Sequence, residues 1–332
     1  MRRLCAGSLR CWIASALVAT PAVAAPPALV VGHRNPDTDA IMAALAMAAL
    51  LRQQGTHALA VAQGPPNPET DYVLRRCGLA MPPIQTSITD QTVMLVDHSD
   101  AAQAPDGLKP ANLLGIVDHH KLGGLESDAP LFVRIEPVGS TATVITELFL
   151  SDNQNIERPL ACGLLGAVLS DTRSLTSPTT TGKDRKAVKV LASRAQIADP
   201  IGFGNAMLQA YAAAMAQRDD STLINTDFKR FPMGNMAVGI SQVEAPDITF
   251  VLKRRQSLLQ TMEQQRAQQG LHTLLLMATD VPRQGSEILV VSEEPQRIAA
   301  LFGASLQQQS AWVPGLMSRK RQVVPVLQQS LR

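Results

Sequence analysis

The sequence predicts an α/β protein, an N-terminal and mostly parallel sheet flanked by helices followed by a smaller C-terminal α/β domain. Three observations carry that expectation. Short apolar β-type runs alternate with alanine-rich helical patterns through the first part of the chain, the rhythm of βαβ units. At 332 residues the chain can bury two cores of ordinary size. Its texture then changes at Tyr211–Thr222, where YAAAMAQRDDST is small and polar, so residues 25–211 and 222–332 are expected to fold separately around a linker at 212–221.

Taken in order, Ala28–Val31 reads as the first strand and Ala40–Gln54 as a helix that stops at Gly55. His57–Ala62, Thr92–Val96 and Leu113–Val117 are further strands, the last running into Asp-His-His. Ser140–Leu150 and Leu160–Leu169 have helical patterning, and helices are expected on both faces of the sheet. Beyond the linker, Met236–Val243, Thr273–Ala278 and Ile288–Val291 read as strands, and Thr249–Gln269 as one long helix with a Gln-rich exposed face.

Net charge is only +2, which gives no general polyanion-binding surface, and aromatics at 3% leave few rings on which to stack bases. Nucleic acid is therefore not an expected partner. The first residues have the pattern of an export signal: Arg2, Arg3 and Arg10 are basic, Trp12–Thr20 is a short apolar segment, and Ala22-Val-Ala24 places a cut before Ala25. The expected location is periplasmic or secreted, with the cytoplasm as the alternative, and no stable membrane association after cleavage because the apolar stretch is too short to span. Cleavage would leave Cys77 and Cys162. Cys162 lies in an apolar run and reads as a small buried hydrophobe, and their pairing is left open.

Chemistry concentrates at the ends of apolar runs. GHRNPDTDA (Gly32–Ala40) places His33, Asp37 and Asp39 just past the first strand, with Pro36 keeping His33–Pro36 in a loop before the helix begins. Val93–Val96 runs into Asp97-His98, Leu114–Val117 into Asp118-His119-His120, and the helix Gly163–Ser170 into Asp171-Thr172. Carboxyl ends of strands are where open α/β sheets bind ligands. Imidazoles and carboxylates converging there suit a divalent cation. His57 and His272 stand alone and read as structural.

The series His33-x-x-x-Asp37-x-Asp39, Asp97-His98, Asp118-His119-His120 and Ser170-Asp171-Thr172 resembles the motifs of the DHH phosphoesterase superfamily, and most of all its family II, manganese-dependent inorganic pyrophosphatases. PVGSTATVI (Pro137–Ile145), SDTRSLTSPTTTGKD (Ser170–Asp184) and Ser318-Arg-Lys-Arg-Gln-Val-Val-Pro325 extend the resemblance. The last resembles the family's SRKKQ signature with Arg321 in a lysine position. The resemblance implies hydrolysis of inorganic pyrophosphate to two orthophosphates by a two-metal-activated hydroxide. It implies two manganese ions per subunit, with cobalt as a possible substitute, and magnesium entering with the substrate. His33 and Asp37 would bind one manganese, Asp39, His119 and Asp171 the other, and Asp97 both. His120 would be catalytic, holding the leaving side of the bridge and donating a proton, with His98 and Asp118 orienting ligands from behind. Lys229, Arg319 and Lys320, from a C-terminal domain of the DHHA2 type, would grip the terminal phosphates, placing the active site between the domains. A homodimer through the N-terminal domain is implied as well. Rival readings are a DHH exopolyphosphatase or oligonucleotide phosphodiesterase, which the SRK ending and scarce aromatics disfavour, and a non-enzymatic metal- or phosphate-binding relative.

Overall fold

The structure is a computed structural model and describes residues 26–109 and 112–331; the signal-like segment lies outside them. The first unit runs β1 (Ala28–Val31), α1 (Thr38–Gln53), β2 (Ala58–Val61), α2 (Pro68–Cys77), β3 (Val93–Val96), β4 (Leu113–Asp118), β5 (Phe132–Ile135), α3 (Thr141–Ser151), α4 (Arg158–Asp171), α5 (Gly182–Ala195) and α6 (Pro200–Gln217). Its five strands pair in parallel in the order 2-1-3-4-5. The sheet is flanked by helices, but they collect on one face. There Val30, Met94, Val96 and Val117 share a core with buried residues of α1 to α6. Leu29, Val31, Leu95 and Ile116 face the other way and meet Ile88, Leu108 and Leu125 from connecting segments. Most of the strands have only four residues, so loops suffice to close that small face.

The second unit comprises α7 (Asp220–Asn225), β6 (Phe228–Met233), β7 (Met236–Ala245), α8 (Thr249–Lys253), α9 (Arg255–Gln268), β8 (Thr273–Asp280), β9 (Gly285–Ser292), α10 (Pro295–Ala300), β10 (Ser310–Pro314) and α11 (Val324–Ser330). Its sheet has the order 10-9-8-7-6, and only β7 and β8 run parallel. The single helix expected over 249–269 is broken at Arg254, whose backbone leaves helical geometry (φ −102°, ψ 9°). Its guanidinium is drawn to Asp220 of α7 (2.9 Å from Nε), a tertiary tie that no local pattern announces. Residues 212–221 hold the last turns of α6 and the start of α7 rather than an irregular linker. Met215 near the end of α6 is buried in the second unit's core.

Helices α2 and α4 lie antiparallel in the first unit. Glu69 accepts from Ser170 Oγ at 2.9 Å, and Gly166 lets Val73 approach so closely that an added Cβ would sit 2.9 Å from its methyl. At the far end Cys77 and Cys162 form a disulfide, with Cα atoms 5.5 Å apart. Cys162 is buried, as its apolar neighbours imply, but bonded rather than a free thiol.

Candidate metal centre

In a parallel sheet ordered 2-1-3-4-5 the strand order reverses between β1 and β3, and the crevice beyond their carboxyl ends is the usual ligand-binding position. The first motif is folded to enter it. An added Cβ on Gly32 would meet the Ala40 side chain and carbonyl at 2.7 Å, so the residue after β1 has to be small for α1 to return so tightly. Asn35, a residue type that tolerates the left-handed region, takes it there (φ 52°) immediately before Pro36. Asp37 then caps α1 by accepting from Ala40 N at 3.0 Å, and Asp39 points from the first turn into the protein. The Asp39 carboxylate accepts from Thr141 N (2.6 Å) and Ala142 N (3.0 Å), at the N-terminus of α3.

Asp97 stands at the centre. His33 Nε2 lies 3.4 Å from Asp37 Oδ2 and 3.4 Å from Asp97 Oδ2. His119 Nε2 lies 3.5 Å from Asp97 Oδ1 and 3.5 Å from Asp171 Oδ2. Two candidate ligand sets, His33–Asp37–Asp97 and Asp39–Asp97–His119–Asp171, cover the expected ligands, and a third, Asp97–His119–His120, overlaps the second; donor atoms in each lie within 4.8 Å of one another. All six residues expected as metal ligands thus converge, and Asp97 belongs to both sets. His119 Nδ1 is 3.1 Å from the Val138 carbonyl, so that nitrogen donates and Nε2 is left as the ligand atom.

The electrostatics are those that a bound cation would relieve. Burial raises the Asp97 and Asp171 carboxyls well above their usual range, and neighbouring carboxylates, Asp39 foremost, raise them further. Burial opposes protonation of His33, yet hydrogen bonds and charge from Asp37 and Asp97 outweigh it and lift its pKa to about 11. Asp97 Oδ2 is buried and accepts no well-formed hydrogen bond. A sealed oxygen of that kind, in an all-nitrogen and oxygen donor set, fits a hard or borderline divalent ion such as manganese.

Behind the ligands, Asp118 Oδ1 accepts from His119 N (2.7 Å), His120 N (3.0 Å) and His120 Nδ1 (2.9 Å), gripping both histidines at once. That contact with Asp118 holds His120 above its ordinary pKa, and its ring stands half-exposed in the cleft. His98 is buried, which pulls its pKa down to about 4, and its Nδ1 donates to the Val96 carbonyl at 2.9 Å.

A cleft of about 800 Å³ opens over the centre between the two units. Asp37, His119, His120 and Asp171 line one wall, and Ser318, Arg321 and Gln322 the other. Lys229, Arg319 and Lys320 lie on the second unit but are not among the residues lining that cleft. Lys229 and Lys320 are exposed, while Arg319 is buried and donates to the backbone and side chain of Asp227 (3.0 Å to Oδ1) and to the Ile240 carbonyl.

Several residues that hold the centre carry no role in the sequence reading, although PVGSTATVI and SPTTTGKD contain them. Thr141 donates its hydroxyl to Asp97 Oδ1 (3.0 Å) while its N–H holds Asp39. Asp184 accepts from Gly139 N (2.9 Å) and Thr143 Oγ1 (2.6 Å), pinning the start of α3 against the capping box of α5. An added Cβ on Gly139 would lie 2.5 Å from Thr172, beside the candidate ligand Asp171, so those two turns interlock.

The chain matches the N-terminal domain of the DHH family over residues 27–170 and the DHHA2 domain over residues 205–330. It is 38% identical over 314 residues to a "Probable manganese-dependent inorganic pyrophosphatase" of Archaeoglobus fulgidus, covering 91% of this chain and 97% of that protein. It is 36% identical over 309 residues to the manganese-dependent inorganic pyrophosphatase of Methanocaldococcus jannaschii, covering 91% and 98%. A solved structure, "Crystal structure of Methanococcus jannaschii putative family II inorganic pyrophosphatase", superposes with a TM-score of 0.70 at 36% identity, over 91% of this chain and 98% of that one. Identity at this level along nearly the full length of each relative, with both domains matched and all six candidate ligands brought together, means that the chain belongs to the manganese-dependent, family II inorganic pyrophosphatases.

Proposed function

We infer that this chain is a hydrolase that splits inorganic pyrophosphate into two orthophosphates, with manganese as its cofactor. The observation that carries the reading is the pair of ligand sets sharing Asp97, which would seat two cations side by side in the cleft. Two bound manganese ions would offset the charge of a diphosphate and acidify a water between them. The protein's own groups do the remainder. His33 and Asp37 hold one ion, Asp39, His119 and Asp171 the other, and Thr141 and the α3 N-terminus fix the Asp97 and Asp39 carboxylates so that neither swings on loading. His120, oriented by Asp118 and biased toward its protonated form, supplies a proton from its free nitrogen to the departing phosphate.

Lys229, Arg319 and Lys320 form the phosphate grip in this reading, and magnesium accompanies the substrate. Arg319 must exchange Asp227 for a phosphate oxygen, so productive binding includes a rearrangement at the second unit's edge. Orthophosphate release from pyrophosphate, tripolyphosphate and a dinucleotide, each with manganese, tests the assignment. Pyrophosphate should be strongly preferred, and faster release from either of the others would reassign the substrate class.

Two finer readings belong to the same proposal. The chain acts after export, supported by the basic, apolar and Ala22-Val-Ala24 segments together with a disulfide suited to an oxidising compartment. Among the described residues no helix is long and apolar enough to cross a membrane. The working form is a homodimer through the edge strand β5, where Phe132 and Val133 are about half exposed beside open backbone groups. Sedimentation showing only monomer at micromolar concentration would remove the dimer.

A further inference from the structure

After Asp171 ends α4, Arg173, Ser174 and Leu175 follow with φ of 49°, 54° and 68°, three consecutive side-chain-bearing residues in the left-handed region. Such a run persists only where its surroundings hold it. Ser174 N donates to the Leu169 carbonyl (2.7 Å), Leu175 N to Thr172 Oγ1 (3.2 Å), and α6 presses close enough that a Cβ on Gly204 would meet Ser174 Oγ at 2.3 Å. The turn aims Arg173 across the cleft mouth. There its Nη2 donates to Glu244 Oε1 of β7 at 2.6 Å, with both side chains about one-third exposed.

Glu244 Oε1 also accepts from Gln242 Nε2 at 3.1 Å. The same amide group reaches the Met317 carbonyl (3.1 Å), and its oxygen accepts from Arg319 N at 3.3 Å. A chain of polar contacts therefore runs from the turn beside Asp171 to the backbone of the Ser318–Lys320 segment. Among the described residues, Arg173–Glu244 is the one ion pair or hydrogen bond that ties residues 26–199 to residues 218–331; the covalent path is α6. An exposed surface pair would count for little, but a partly buried one, the sole polar crossing among the described residues, restrains a hinge.

We propose that Arg173 and Glu244 are positioning residues, an interdomain latch that registers the Ser318–Lys320 segment against the metal-ligand turn. The proposal rests on the cleft being the pyrophosphate site. Without the latch the two walls sample more orientations, and substrate must supply the alignment, so binding suffers more than turnover. Arg173→Met and Glu244→Gln should each raise the pyrophosphate KM about fivefold with kcat within about twofold, and the double variant should be no worse than either single. Arg173→Lys, which keeps the charge, should stay near wild type. In metal-free protein carrying nitroxide labels at exposed Lys189 and Ser305, the Arg173→Met variant should broaden the interdomain distance distribution. Additive KM effects, loss of manganese from either single variant, or an unchanged distribution would each overturn the latch. Should the wild type release no phosphate from pyrophosphate, the functional reading falls, and the label distances alone decide the latch.

Discussion

Asp97 leaves β3 with a φ of 61° and turns a fully buried carboxylate between His33 and His119. In metal-free protein that charge is a liability, since burial and Asp39 both resist it. Asp97→Asn keeps the shape and removes the charge, so two effects of opposite sign are expected. Activity and manganese affinity should fall, on the order of a hundredfold or more, because both sets lose a shared ligand. The metal-free protein should melt higher. Full turnover with normal manganese content in the purified variant would remove Asp97 from the centre. Glu69 offers a pH test on the same footing. Burial, with help from Asp37 and Glu244, raises its carboxyl from 4.5 to about 7. A carboxyl raised in the folded state contributes stability that is fully present below about pH 4.5 and lost as pH climbs through about 7, up to about 3 kcal/mol. In chelator-treated protein Glu69→Gln should flatten stability across that window, as followed by urea unfolding; a parallel decline in the variant would place the pH dependence elsewhere.

Helices α2 and α4 are stapled by Cys77–Cys162 at one end and meet at Glu69–Ser170 at the other, one residue from Asp171. The disulfide spans 85 residues that include β3, β4 and β5, hence Asp97 and His119. Chain-entropy reasoning assigns a closed loop of that length roughly 4 kcal/mol, and in a domain of this size that is about 10 °C in Tm. Reductant, or Cys77→Ala with Cys162→Ala, should lower the calorimetric Tm by that order, whereas equal Tm values with and without reductant would mean the staple is not formed in solution. What could be read from sequence divides along the same line. His33, Asp37 and Asp39 were legible because they crowd just past β1, and Asp97, His119 and Asp171 because each stands at the end of a further apolar strand or helix, so spacing alone exposes them. The strand β5 and helix α2 escaped, since FVRI is too short to show alternation and PETDYVLRRC has a largely polar face. The disulfide, the Arg173–Glu244 pair and the break at Arg254 join residues dozens of positions apart, and no local period encodes them. Thr141 and Asp184 lie between these cases, visible as parts of a motif but without a role until α3 is seen to start against Asp39.

At the scale of the whole molecule, the two units, the helix α6 between them and the cleft above the candidate ligands are built from residues 26–109 and 112–331, and the first 24 residues lie outside the described ones. Those residues carry three basic side chains, an apolar core from Trp12 to Thr20, and small residues at Ala22 and Ala24. Cleavage before Ala25 would leave three residues ahead of β1, whose Ala28 N–H is already engaged by the His57 carbonyl at 2.9 Å. The strand that delivers His33 would then be untouched by processing. The disulfide argues in the same direction, because a thiol pair of this kind stays reduced in a glutathione-buffered compartment and oxidises outside it. On the export reading, protein isolated from fractionated cells should begin at Ala25, lie outside the cytoplasm, and titrate no free thiols, since Cys5 and Cys11 would leave with the signal and Cys77 and Cys162 are paired. N-terminal sequencing and thiol titration on the same sample decide it. An intact Met1 on cytoplasmic enzyme with titratable Cys77 and Cys162 would overturn the export reading and leave the metal centre, which draws on none of those residues, as it stands.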